Sequence, residues 1–354
     1  MDVAEERWNQ KKPTVVVDEV SDRLINGDLL IKIQAAREIR SIIRNHRSSG
    51  KVRVKFAGAG VIQPLVLMLC SKHDDACEAS LLALLNLASR NDRIKEQIVT
   101  CGVIPPLVNL LNFQISDNLK ELATAAILTL SATPNNKSTI VSSGAIPLLI
   151  QILSSGTIQA RVDAVTALHS LTANKEEPAI VIDAAAASPL INLLKQCKKY
   201  SKFAEITVGL INIVSKSHEG RLAITKAKDG ILTLVETIED GSLVSKEHAV
   251  DALFELCMSS RSKYRELILN EGAIPGLLRL TVYGTCEARN KARLLLDLLR
   301  DSPSEKRLSS SVFERIVYEI AARVDGSSVE TIKILLQDMV HRRMNMGSSC
   351  IVKG

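Results

Sequence analysis

Two short phrases recur along this chain at a nearly constant spacing, and that period limits the fold more than any other feature. The first joins a glycine, two small or β-branched residues and a proline to a leucine-rich run. It stands at Gly60-Val61-Ile62-Gln63-Pro64, at Gly102-Val103-Ile104-Pro105 and at Gly144-Ala145-Ile146-Pro147, with 42 residues between successive glycines. The phrase weakens at Ala187-Ser188-Pro189, returns without proline at Gly230-Ile231-Leu232, and is restored at Gly272-Ala273-Ile274-Pro275. The second is a short apolar helix phrase centred at Asn86, Thr129, Ser170, Asn212, Glu255 and Asp297, with steps of 41 to 43 residues. Units of this length bury their apolar faces only by stacking on neighbours. The 354 residues therefore form an open-ended array rather than one closed globule.

Residues 91–131 show what one unit contains. Asn91 or Asp92 caps a short helix through Ile94 and Ile98, because a side-chain oxygen there accepts from free N–H groups of the first turn. Gly102 ends that helix, since glycine takes the left-handed conformation without steric strain. Pro105 or Pro106 opens a second helix that buries Leu107, Val108, Leu110 and Leu111, at a position where a missing N–H is harmless. Ser116 or Asp117 caps a third, longer helix with Leu122, Ala125, Ala126, Leu128 and Leu130 at helical spacing. Three helices per period of about 42 residues point to an armadillo unit rather than the two-helix HEAT unit. The expected fold is all-α: an armadillo-type right-handed superhelical solenoid.

That fold divides the chain into a flexible N-terminal tail over residues 1–20, six to seven armadillo units over 21–301, a helical C-terminal cap over 302–345 and a tail over 346–354. The cap rests on two apolar periodic runs, Val312 to Val324 and Val329 to Val340, that lack the repeat phrases.

Composition narrows the function classes. With 46% hydrophobic and 24% charged residues the chain folds around a large core. Its net charge of +6 is interleaved, and only 3% of residues are aromatic, which leaves few platforms for stacking bases and argues against nucleic acid. The seven cysteines are odd in number and scattered, as free thiols in a reducing compartment would be, so the expected location is cytoplasm, nucleus or both. No run of residues is long and apolar enough for a membrane span.

The Gly-Ala-Ile-Pro phrase, the helices ending in Leu-x-Asn-Leu-Ala, and the run Lys291-Ala292-Arg293-Leu294-Leu295-Leu296-Asp297 resemble the armadillo region of plant U-box ubiquitin ligases over about residues 20–301. The resemblance implies a protein partner, such as a kinase or a ubiquitin-pathway component. In that family a separate upstream U-box binds the conjugating enzyme. Only about 20 residues precede the first repeat here, so the U-box itself is expected to be absent and ligase activity is not implied. Importin-α, another armadillo family, grips basic peptides with a Trp and Asn ladder. Here Asn occurs at only two rungs, Asn86 and Asn212, and the positions four residues earlier hold no Trp.

The candidate partner-binding residues are the third-helix positions that in armadillo proteins line the concave groove: Asn86, Thr129, Ser170, Asn212, Asp251, Glu255 and Asp297. The change from uncharged to acidic rungs predicts that the C-terminal half favours a basic segment. No catalytic residue, metal ligand or cofactor is expected. Cys70, His73 and Cys77 lack a fourth zinc ligand. Asp163, His169 and Ser170 lie on one helix, with adjacent residues about 100° apart, which prevents the convergence a triad needs. The densest basic run, Arg44, Arg47, Lys51, Arg53 and Lys55, reads as a solvated loop or, less simply, as a phosphate or acidic-lipid contact.

Overall fold

The computed structural model describes residues 13–46, 49–112, 114–172 and 182–300. They form two compact units, Met1–Leu295 and Leu296–Gly354, of which the second is described only as far as Arg300. All regular elements among the described residues are helices. Five complete helix triplets recur, beginning at Ser49, Asp92, Pro134, His218 and Arg261. A pair, Pro13–Asn26 and Leu29–Asn45, precedes them. Another pair, Ala187–Gln196 and Lys202–Ser215, stands in the middle behind a 3₁₀ turn at Ala184–Ala186. The fold is an all-α array of armadillo repeats.

The local chemistry follows the expected unit closely. Asn91 caps Asp92–Thr100, its side chain accepting from the Ile94 N–H at 3.1 Å. Gly102 takes φ +84°, and the glycines of the other full phrases, Gly60, Gly144 and Gly272, do the same at +75° to +81°. Prolines occupy the first turn of Ile104–Leu110. Ser116 stands at the N-cap of Asp117–Ser131 without a side-chain cap bond. Repeat by repeat, the third helices Leu29–Asn45, Asp74–Ala88, Asp117–Ser131, Ile158–Thr172, Lys202–Ser215 and Leu243–Ser259 each pack against the next. Leu81, Ile127, Leu168, Leu210 and Leu253 from these helices are almost wholly buried, each worth about 2 kcal/mol relative to exposure.

Two sequence expectations are corrected, and one glycine of the repeat phrase behaves unlike the others. The tail assigned to residues 1–20 contains the start of helix Pro13–Asn26, whose Val16, Val17, Val20 and Leu24 are buried. These apolar positions at spacings of three and four form the face of a helix that packs against Leu29–Asn45. The basic run is no loop, because Ser49–Gly58 is the first helix of a triplet, with Val52 and Phe56 in the core. At Gly230 the left-handed residue is Asp229, with φ +59°, one position earlier than in the other phrases. Gly230 answers a different need: a Cβ there would lie 2.0 Å from the Ile224 carbonyl oxygen. The expected cap at 302–345, the tail at 346–354 and Arg47 lie outside the described residues.

Successive third helices are also tied by a polar latch that recurs with the repeat. Thr157, Ser242 and Thr285 each cap the start of their own third helix, accepting from Ala160, Ser245 and Ala288. Each hydroxyl then donates to a carboxylate on the preceding third helix: Thr157 to Glu121, Ser242 to Glu205 at 2.7 Å, and Thr285 to Glu247. The hydroxyl thus satisfies both an orphan N–H and a half-buried carboxylate.

Candidate functional site

On Asp74–Ala88 the core takes Leu81, Leu84 and Leu87, which leaves Asn86 half-exposed on the opposite side. The same phrase on the next two third helices leaves Thr129 and Ser170 half-exposed. Their polar groups are turned mainly onto the protein. Asn86 Nδ2 donates to the Leu82 carbonyl at 2.7 Å, and Thr129 Oγ1 to the Ala125 carbonyl at 2.8 Å. Ser170 Oγ reaches back to the Ser131 carbonyl of the preceding repeat at 2.9 Å.

Cations on the first helices close the C-terminal ends of the third helices. Arg53 Nε donates to the Asn86 carbonyl at 2.8 Å and Lys137 Nζ to the Ser170 carbonyl at 2.6 Å. Arg221 spans the Ser215 and Lys216 carbonyls at 3.0 and 2.9 Å. A positive charge at this end complements the helix dipole as well as the orphan carbonyls. Burial pulls the Arg53 pKa down, and Arg90 nearby lowers it further.

The C-terminal rungs differ from expectation. Asn212 is buried, and its amide donates to Asp251 Oδ2 at 2.9 Å. Lys216 Nζ lies 2.9 Å from the same oxygen and 3.1 Å from Glu255 Oε1. Lys291 Nζ sits 2.9 Å from Asp251 Oδ1, out of line for a hydrogen bond, and 4.4 Å from the centre of the Phe254 ring. Burial pushes the Asp251 carboxyl up, but Lys216, Lys291 and Asn212 more than offset it and leave the pKa at about 2. Asp251 and Glu255 therefore meet the chain's own two lysines. The acidic surface expected to draw a basic segment is neutralised from within at these rungs. Sequence phrases compared helix with helix and did not couple the C-cap residue Lys216 to the following repeat. Asp297 falls in the second unit, exposed, with Arg300 at 3.7 Å.

At the other end of the ladder a cleft of about 530 Å³ opens between Leu29–Asn45 and Asp74–Ala88, with Arg37, Arg40, Arg44 and Glu78 in its wall. Sequence reasoning missed it, because it followed the central phrase and the basic run beyond Arg44. The signal was present as arginines spaced three and four apart.

The catalytic and metal alternatives gain nothing from the geometry. Cys77 is buried with its thiol against the Leu69 and Ser71 carbonyls, and burial pushes its pKa up. His73 and Cys70 are exposed. Among the described residues no group of three or more His, Cys, Asp or Glu could hold a metal ion. Asp163 is buried, accepts from Gln159 at 2.9 Å and has its pKa raised by burial, while burial lowers that of His169. No single described helix is long and apolar enough to cross a membrane.

Comparison with known proteins agrees with the helix triplets. Residues 91–132 match the armadillo/beta-catenin-like repeat and residues 149–320 match the plant U-box protein ARM repeat region. An engineered protein of known crystal structure superposes with a TM-score of 0.57 at 20% identity, covering 90% of this chain and 86% of that one, a likeness of fold. The chain is an armadillo-repeat protein. Within that class its repeats are similar to those of plant U-box proteins. U-box domain-containing protein 17 of Arabidopsis thaliana is 40% identical over 276 residues, which is 77% of this chain and 37% of the relative. U-box domain-containing protein 4 of Oryza sativa subsp. japonica is 30% identical over 163 residues, 44% of this chain and 21% of the relative. The chain thus spans well under half the length of these relatives.

Proposed function

We propose that the chain is a non-catalytic protein-interaction scaffold that receives a peptide or helical segment of a protein partner along the exposed face of its third helices. The observation that carries this reading is the unbroken lateral packing of successive third helices, which lines up half-exposed positions such as Asn86, Thr129 and Ser170 in a row. A continuous row of this kind suits an extended or helical partner better than a small molecule. No cofactor enters the proposal.

A photo-crosslinking amino acid placed singly at Asn86 or Thr129, and as controls at the exposed first-helix residues Gln97 and Thr139, tests it in native extract. The expected result is a protein adduct at the first two positions and none at the controls. Equal adducts at both sets would reject the third-helix face as the binding surface.

A second reading is an adaptor or substrate-recruiting component of a U-box-type ubiquitin ligase system, with a kinase or ubiquitin-pathway protein as partner. It is favoured by the 40% identity to a U-box domain-containing protein over most of this chain. The identity of the crosslinked protein separates it from the general scaffold.

A further inference from the structure

We propose that the cleft between Leu29–Asn45 and Asp74–Ala88 is a docking site for an acidic segment of the protein partner, an inference that rests on the scaffold reading and gives it a chemistry. Arg37, Arg40 and Arg44 are spaced three and four residues apart, which places their guanidinium groups on one side of one helix. Ser41 and Asn45 stand between them in the cleft wall, with Leu82 from the facing helix. Glu78 stands in the same wall, and among the described residues it forms no ion pair with any of the three arginines.

The arginines are also short of partners within the chain. Arg37 has only an exposed contact to Asp75 at 3.8 Å. Among the described residues, Arg40 and Arg44 take part in no side-chain hydrogen bond or ion pair. The Arg40 Nε is withdrawn from solvent with nothing to donate to. Arg161 and Arg221 also have a buried, unmatched Nε, but their terminal nitrogens are engaged, with Gln196 and with the Ser215 and Lys216 carbonyls. Arg40 has neither. Like charges on one helix face destabilise it unless a counter-ion arrives, and a guanidinium fork matches a carboxylate in two parallel bonds.

The contrast along the ladder makes the assignment local. At Asp251 and Glu255 every charge has been met by a lysine of the chain, and Thr129 and Ser170 carry none. Between the first two third helices, three arginines of one helix face are left with no more than one exposed contact to a carboxylate. Arg53, which donates to the Asn86 carbonyl, and its neighbour Arg90 extend the positive surface along Asp74–Ala88 beyond Leu82.

Fluorescence anisotropy on the full chain tests the proposal with a short fluorescein-labelled Glu-rich peptide and its Gln-rich and Lys-rich counterparts. The Glu peptide is expected to bind at least about tenfold tighter than the Gln peptide and to weaken as salt rises. The double variant Arg40→Gln/Arg44→Gln, checked by circular dichroism for an unchanged fold, is expected to lose about tenfold. Lys51→Gln/Lys55→Gln, which removes the same charge from exposed positions on the adjoining helix, should leave affinity unchanged. Equal affinity for the Glu and Gln peptides overturns the proposal, as does an equal loss in both double variants, which would indicate diffuse attraction. If instead the Gln or Lys peptide binds and crosslinks to Asn86 or Thr129, the acidic-segment proposal falls and the scaffold reading stands. Absence of any crosslink from peptide or extract at those positions removes the scaffold reading itself.

Discussion

Glycines 102 and 230 occupy equivalent places in the repeat phrase but answer different physical demands, and substitution should separate them. A Cβ at residue 102 meets no atom within 4 Å, so Gly102→Ala feels only the strain of φ +84°, about 1 kcal/mol. At residue 230 the new Cβ falls 2.0 Å from a backbone oxygen that cannot swing away. Gly230→Ala should therefore lose more, about 2–3 kcal/mol, as overpacking does, with both losses read from denaturant midpoints at constant slope. Asp251 supplies a pH test. Its carboxyl is depressed from 3.8 to about 2, so its contribution is present above the unfolded value and is lost as pH falls through the folded one. Asp251→Asn should be destabilised by about 2 kcal/mol near neutral pH, with the gap to the parent closing between about pH 4 and 2. The sequence showed Gly102 correctly because chain geometry is local. It hid Asp251 because Lys216 and Lys291, the charges that set its pKa, belong to the repeats on either side.

Helices in this array are held by apolar packing, and the polar latch between third helices adds direction to it. Thr157 accepts from the Ala160 N–H and donates to Glu121, so Thr157→Val removes a cap and strands a carboxylate at once. The expected loss is about 1–2 kcal/mol. In a double-mutant cycle with Glu121→Gln the coupling should be at least about 0.5 kcal/mol, and additive losses would show the two groups to be independent. The helix triplets were legible in the sequence, since Asn91, Gly102 and Pro105 declare ends and beginnings within a few residues. The latch was not read, although Glu121, Asp163, Glu205 and Glu247 recur at a spacing of 42, because periodicity was followed in the apolar positions. Nor was the helix over Ser49–Gly58, where lysines and arginines are interleaved with the buried Val52, Phe56 and Ala57. The arginine cleft belongs to the same class, since Arg37, Arg40 and Arg44 make a site only when Asp74–Ala88 lies across from them.

In Met1–Leu295 each repeat meets chiefly its neighbours, so stability should follow nearest-neighbour rules rather than those of one closed core. Leu24 is fully buried in the helix Pro13–Asn26 at one end of the stack, and Leu24→Ala should remove about 3 kcal/mol from that end. Amide hydrogen exchange is expected to quicken through Pro13–Asn26 and Leu29–Asn45 and to stay at parental rates in Lys202–Ser215. The equally buried Leu210, replaced by Ala, should instead quicken exchange in Lys202–Ser215 and in the third helices on both sides of it. Uniform quickening in both variants would mean that the array opens as one cooperative body. End fraying has a functional corollary, because the arginine cleft uses Leu29–Asn45 as one wall. Leu24→Ala should then weaken the Glu-rich peptide while leaving Asp251 and its lysines intact, so loss at the cleft without loss of the distant network is the signature of a one-dimensional array.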